Sequence, residues 1–202
     1  MTDMCYESCV AFAGPFSELH ACPECSSPRY ETVTRGNKLV PVPRKQALTI
    51  PVGPQIQAQY RSRESAWNMG HRRRAMDPLL ARLHAGGSID TYDDVYCSSI
   101  LLNAALRGDL TANDTVLMLS IDGAQLYQSK QSDCWIYIWV LLDLAPNLQY
   151  KKKYILPGSF IPSPNKPKNL DSFVYTGLHH LSVLQRDGLR IWDCQMGHVF
   201  TS

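Results

Sequence analysis

Four cysteines stand in the first 25 residues, as Cys5-x3-Cys9 and Cys22-x2-Cys25. This spacing constrains the chain more than any other feature. Close pairs let one tight turn present two thiolates, and tetrahedral zinc takes four soft sulfur ligands at about 2.3 Å. The segment has too few apolar residues to hold itself together, so a bound ion would supply its folding energy. The expectation is therefore a structural zinc ion on Cys5, Cys9, Cys22 and Cys25. Four thiolates leave no open position for catalysis. The x3 gap is wider than a standard knuckle, His20 is a competing ligand, and unrelated buried thiols are the other reading. Cys97, Cys134 and Cys194 lie inside expected elements and read as ordinary buried cysteines.

The remainder is long enough for one core beside such a module: 202 residues, 45% apolar and 19% charged, a globular balance. Formal net charge is +2, so attraction to nucleic acid must come from local clustering. The longest apolar run, Trp135 to Leu142, is too short to span a bilayer, so no membrane partner is expected. The N-terminus MTDMCYESCV has neither a basic n-region nor an apolar h-region. The expected compartment is intracellular and reducing, nuclear or cytoplasmic, where cysteines serve as thiols or metal ligands.

Three segments follow from the pattern: residues 1–40 as the cysteine module, 41–110 as a proline-containing connector with a basic helical region, and 111–202 as a mixed α/β domain. Pro41, Pro43, Pro51 and Pro54 mark an extended connector. A helical, basic pattern runs from Gln55 to His84. Tyr92 to Leu106 reads as another helix, with Asp90 or Thr91 as N-cap and Gly108 as C-terminal cap. Val116–Ile121, Trp135–Leu144 and Tyr154–Ile161 have strand length and strand composition. After a second connector at Pro162, Pro164 and Pro167, one helical face carries Leu170, Phe173, Val174, Leu178, Leu181 and Leu184. Asn169 can cap this helix and Gly188 can end it. The strand Leu189–Asp193 completes the order β-β-β-α-β.

The basic stretch QYRSRESAWNMGHRRRAM contains Arg61, Arg63, Arg72, Arg73 and Arg74. Arginine's planar fork suits phosphate, which makes these five candidates for nucleic-acid contact. On a helix Arg72–Arg74 fan over more than half the circumference, so a solvated surface with incidental charge is the competing reading, and a nuclear-import tract is a third.

Asp122-Gly123 between apolar runs is a hairpin signal, because type I′ turns need positive φ at both positions. Asp122 is then either a turn residue or a carboxylate at the end of a strand. The next apolar run begins well after Gly123, which argues against a two-residue turn and leaves open a strand continuing through Ala124-Gln125-Leu126 or a longer loop. In an RNase H-like sheet the first and fourth strands are neighbours. Asp122 on the first and Asp193 on the fourth could then share a divalent cation, for which magnesium prefers hard oxygen ligands.

With these residues the chain resembles the transposases of CACTA-type (En/Spm) DNA transposons and their truncated or domesticated copies. The matching stretches are CPECSSPRY at 22–30, LMLSIDGAQLYQSK at 117–130, SDCWIYIWVLLDLAPNLQYKKKYILPGSFIPSPNKPKNLDSF at 132–173, and LRIWDC at 189–194. Their order along nearly the whole chain carries the resemblance. It implies a zinc-ribbon-like N-terminus, a helical linker, and the first half of an RNase H-like catalytic domain. Asp122 matches the first catalytic acid and Asp193 looks like the second, with Mg or Mn as the metal. The implied partners are DNA and further transposase subunits, with no small-molecule substrate. A third acid from a later helix has no counterpart before Ser202. The expectation is a catalytically incomplete fragment of a DDE-type transposase, or else a non-catalytic nucleic-acid-binding or interaction module derived from one.

Overall fold

A computed structural model describes residues 1–125, 133–163 and 166–202. Part of the stretch at 117–130, part of that at 132–173, and Pro164 lie outside the described residues. The chain is α/β and forms two compact units, each assembled from three stretches. One contains residues 1–52, 119–139 and 156–186, the other 53–118, 140–155 and 187–202. These units do not follow the linear division at residues 40 and 110, because strands and helices far apart in sequence pack together.

The first unit is built on a five-stranded sheet in the order β1-β4-β7-β6-β5. Its strands are β1 (Thr2–Asp3), β4 (Gln46–Thr49), β5 (Leu117–Gln125), β6 (Asp133–Leu141) and β7 (Leu156–Pro162). The β1–β4, β4–β7 and β7–β6 pairs are antiparallel. The hairpin β2 (Tyr30–Arg35) and β3 (Lys38–Pro43) forms a separate ladder, turning at Gly36, whose φ of +61° suits a residue without Cβ. Pro41 and Pro43 thus lie in a strand of a two-stranded sheet, where a missing N–H is tolerated. They are not connector residues as expected.

Helix α6 (Leu170–Asp187) completes this unit. Asn169 Oδ1 accepts the Ser172 N–H at 3.0 Å, so the expected cap is formed. Gly188 follows at φ +77°. Phe173, Val174 and Gly177 are buried, whereas Leu178 is 43% exposed, so the buried face is turned from the one expected. The cause is Tyr137. Its fully buried ring lies so close to Gly158 and Gly177 that a Cβ would sit 1.9 Å from Cε2 at the first and 2.3 Å from the hydroxyl at the second. Glycine on the helix lets a tyrosine fill the interface. Gly158 falls where the β6–β7 register shifts, between the pairs Tyr137↔Ser159 and Ile138↔Pro157, so it is the extra residue of a β-bulge. The core is closed by Met4, Ala11, Ala47, Ile161 and Phe173, with Trp135 against it.

The second unit contains α1 (Val52–Gln59), α2 (Arg63–Met69), α3 (His71–His84), α4 (Ser99–Arg107), the short α5 (Pro146–Gln149) and the hairpin β8 (Arg190–Asp193) and β9 (His198–Thr201). The single basic helical region expected over Gln55–His84 is thus three helices. Ser62 caps α2 by accepting the Ser65 N–H, and Gly70 separates α2 from α3. Ser98, not Asp90 or Thr91, caps α4, preceded by a 3-10 turn at Val95–Cys97. Gly108 ends α4 in the left-handed conformation, as expected. Met76, Tyr96 and Leu102 form the core between these helices, and the Tyr96 hydroxyl donates to the carbonyls of Leu142 and Leu144.

The buried Arg72–Asp143 pair organises the loops of this unit. Arg72 Nε donates to Asp143 Oδ1 at 2.8 Å, and Asp143 Oδ2 accepts the Val116 N–H at 2.7 Å. Arg72 Nη2 reaches the carbonyls of Thr111 and Asp114. Burial pushes the Asp143 carboxyl up, against the pull of the arginine beside it.

Candidate metal centre

Two tight turns carry the four thiols. In the first, the Ser8 N–H donates to the Cys5 carbonyl and the Cys5 N–H to the Val10 carbonyl, both at 2.9 Å. In the second, the Ser26 N–H donates to the Cys22 carbonyl and the Cys22 N–H to the Ser27 carbonyl, again at 2.9 Å. Ser8 and Ser26 adopt φ of +61° and +58°, the left-handed backbone that folds each turn back on itself. These two serines stand where glycine is commonest, so the tight turns expected from the cysteine spacing form without it.

The turns bring the sulfurs of Cys5, Cys9, Cys22 and Cys25 within 4.8 Å of one another. A tetrahedron with zinc–sulfur bonds of about 2.3 Å has edges of about 3.8 Å. The Cys5–Cys25 sulfur distance is 3.4 Å, so closing on an ion needs only small side-chain shifts. Cys5, Cys9 and Cys22 are buried and Cys25 is half-buried. Among the described residues this is the one group of three or more His, Cys, Asp or Glu side chains close enough to share an ion. Four close cysteines can therefore hold a zinc ion. His20 is not among them; its ring faces Tyr30, 6.1 Å away.

The electrostatics fit a cation. Burial pushes the Cys9 thiol up to about 12, and adjacent thiols add to the shift. Burial also raises Cys22. Cys25 is drawn down to about 6 by hydrogen bonds from Ser27. Crowded thiols that resist ionisation together would ionise around a divalent ion. Lys45 lies alongside, its ammonium donating to the Tyr6 carbonyl and to Ser8 Oγ, and would offset the excess negative charge of four thiolates.

The centre is fastened to the sheet unit, not appended to it. The Asn169 N–H donates to the Cys9 carbonyl at 2.9 Å, and the Ala11 N–H donates to Ser172 Oγ at 2.9 Å. The N-terminal turn of α6 thus grips the first cysteine turn. Arg29 pairs with Asp3 at 2.8 Å and donates to the Ser17 and Leu19 carbonyls, pinning the loop between the cysteine pairs. Ser172 and Arg29 lie in the matching stretches, but these tethering roles were not legible there, since their partners Ala11 and Asp3 are distant along the chain.

The acidic candidates belong to different units. Asp122 is exposed within β5, which continues to Gln125, so Asp122-Gly123 is not the hairpin tip. Its Oδ1 accepts the Gly123 N–H at 2.7 Å. Gly123 lies under Trp135, where a Cβ would come within 3.3 Å of the indole, so the glycine serves cross-strand packing. Asp193 is buried at the end of β8, and one carboxylate oxygen accepts the Gln195 and Met196 N–H groups at 2.7 and 3.0 Å. Those bonds close the β8–β9 turn. β8 pairs with β9 in its own two-stranded sheet; the expected pairing of first and fourth strands is not among the pairings of the described residues.

The basic candidates divide as well. Arg61, Arg63 and Arg73 are exposed. Arg74 lies 4.0 Å over the Trp67 ring and donates to the Trp67 carbonyl. Arg72 is 3% exposed and engaged by Asp143, so as a nucleic-acid contact it is corrected to a structural cation. Cys97 and Cys134 are buried and Cys194 is half-buried, all as free thiols.

No helix among the described residues is long and apolar enough to cross a membrane. No protein-family model, curated protein or solved structure matches the chain.

Proposed function

We propose that the chain is a zinc-bearing piece of a DDE-type DNA transposase of the CACTA kind, acting on DNA in the nucleus. The observation that carries this reading is the run of neighbouring strands β5-β6-β7 followed by α6, with Asp122 solvent-exposed on β5. That run agrees with the β-β-β-α part of the order the resemblance implies; a fourth strand beside the first is not among the pairings of the described residues. Zinc at the four thiols is structural in this reading: it would join the two cysteine turns, the first of which is gripped by the start of α6. Asp122 would contribute one ligand to Mg or Mn, the metal polarising a DNA phosphodiester for in-line attack.

A second reading has its own support. One oxygen of the Asp193 carboxylate accepts two backbone N–H groups, and the described acids form no three-ligand cluster. This favours a non-catalytic module that binds DNA or further transposase subunits. One experiment separates the two. Zinc-loaded protein is incubated with labelled DNA ends in Mg or Mn, beside Asp122→Ala. Divalent-dependent nicking lost in the variant supports the catalytic reading. Equal nicking in both removes Asp122 from catalysis, and binding without nicking favours the module.

A further inference from the structure

The face of the β8–β9 hairpin that points away from its own core carries Trp192 and, directly across the ladder, Val199. They are 55% and 48% exposed. Ile191 and Asp193 alternate with them on the buried face, as a period of two requires. The exposed pair borders an open groove of about 440 Å³, completed by Gln57, Arg61 and Arg190. Gln57 is held in place by donating to the Arg190 carbonyl at 2.8 Å. No carboxylate lines the groove, and among the described residues neither Arg61 nor Arg190 has an ion-pair partner.

The other three tryptophans are already occupied. Trp139 is buried, Trp135 packs on the sheet core with Lys166 over its ring, and Trp67 is covered by Arg74. Trp192 has neither a ring nor a cation against it among the described residues. An exposed indole that shares a groove with two guanidinium groups, neither ion-paired among the described residues, matches a flat π-system joined to anions. A nucleobase between two phosphates has that chemistry. A duplex hides its base faces, so the complementary ligand is unpaired.

We infer that this face binds single-stranded nucleic acid, one base stacking on Trp192 while Arg61 and Arg190 hold the flanking phosphates. Arg61 thereby acquires a defined role, separate from that of Arg72. The site does not use Asp122: strand binding without cleavage would remove the catalytic reading above and leave this one standing.

The test is fluorescence anisotropy with zinc-loaded protein, using a labelled oligothymidylate, a duplex of equal length and thymidine diphosphate as competitor. Trp192→Ala weakens single-strand binding roughly tenfold or more, the range for loss of one stacked base, and Trp192→Phe retains most of it. Arg61→Gln and Arg190→Gln each lower the salt dependence, log Kd against log salt, by about 0.7. Duplex binding is weaker and unchanged by Trp192→Ala. Both tryptophan variants keep the wild-type circular dichroism, because the side chain is exposed. Three results overturn the inference: equal single-strand affinity in Trp192→Ala, a nucleotide that competes as strongly as the oligonucleotide, or a Trp192→Ala effect confined to self-association of the protein.

Discussion

Arg72→Ala leaves the Asp143 carboxyl buried without its cation, and the cost can be worked from the contacts. Both side chains are about 95% buried and meet at 2.8 Å. Removing one partner of such a pair destabilises by about 3–5 kcal/mol, because the remaining charge is uncompensated. The Thr111 and Asp114 carbonyls also lose a donor, at about 1 kcal/mol each if no water replaces it. Protonation of Asp143 limits the total, since burial already pushes its carboxyl up. The expected loss is about 4 kcal/mol at pH 7, a large share of the roughly 5–15 kcal/mol that holds a domain folded. The sign with pH follows. A raised folded-state pKa means a charge penalty present at high pH and relieved as pH falls towards the unfolded value. Arg72→Ala is therefore less damaging at pH 5 than at pH 7, relative to wild type at each pH. Urea denaturation of zinc-loaded protein, followed by circular dichroism, measures both. Arg73→Ala, on an exposed neighbour, stays within about 0.5 kcal/mol of wild type. Arg72→Met with Asp143→Leu recovers most of the loss, as replacement of buried pairs by apolar residues does. A loss below about 1 kcal/mol for Arg72→Ala would refute the reasoning.

The Tyr137 hydroxyl is buried without a hydrogen-bond partner among the described residues, so Tyr137→Phe is neutral or stabilising by about 1 kcal/mol in thermal melts. Gly177→Ala destabilises, and Tyr137→Phe partly rescues it, because the hydroxyl is the atom a Cβ would strike. Gly158→Ala is not rescued, since there the clash is with ring carbons. Cys9, raised to about 12, and Cys22 hold their protons at pH 7, so zinc loading releases protons and weakens as pH falls from 8 to 6. Calorimetry in buffers of different ionisation enthalpy detects that release, and its absence would argue against thiolate ligation. Asn169→Ala costs about 1 kcal/mol, the usual value of an N-cap, and loosens zinc as well, because the same turn holds the Cys9 carbonyl.

Local signals in the sequence were largely sound. The cysteine spacing marked four residues that the fold brings together, and Asn169, Gly188 and Gly108 sit at the helix ends that their chemistry favours. The three strands after residue 115 lie within a few residues of their expected places. What escaped depends on partners far along the chain. β1 and β4 are too short to show alternation, and they exist as strands through pairing towards β7. Arg72 looks like its neighbours in the run Arg72–Arg74 until Asp143 is placed against it. Asp122-Gly123 has the composition of a turn, and it takes Trp135 packed over the glycine to decide for the continuing strand that the spacing had left open. Asp193 has the right residue type for metal chemistry, and only the turn after it reveals where one of its oxygens is used.

Pairing of Leu48 with Phe160 sets a schedule for the chain as it is made. The cysteine turns and β4 emerge from the ribosome first, but β7 and the start of α6 follow more than a hundred residues later. At about 5–20 residues per second that interval lasts on the order of ten seconds. Throughout it, four thiols and an unpaired strand edge are present without the helix that grips them. Early capture of zinc would close the thiols during that wait, so metal supply would govern the yield of folded protein as well as its final stability.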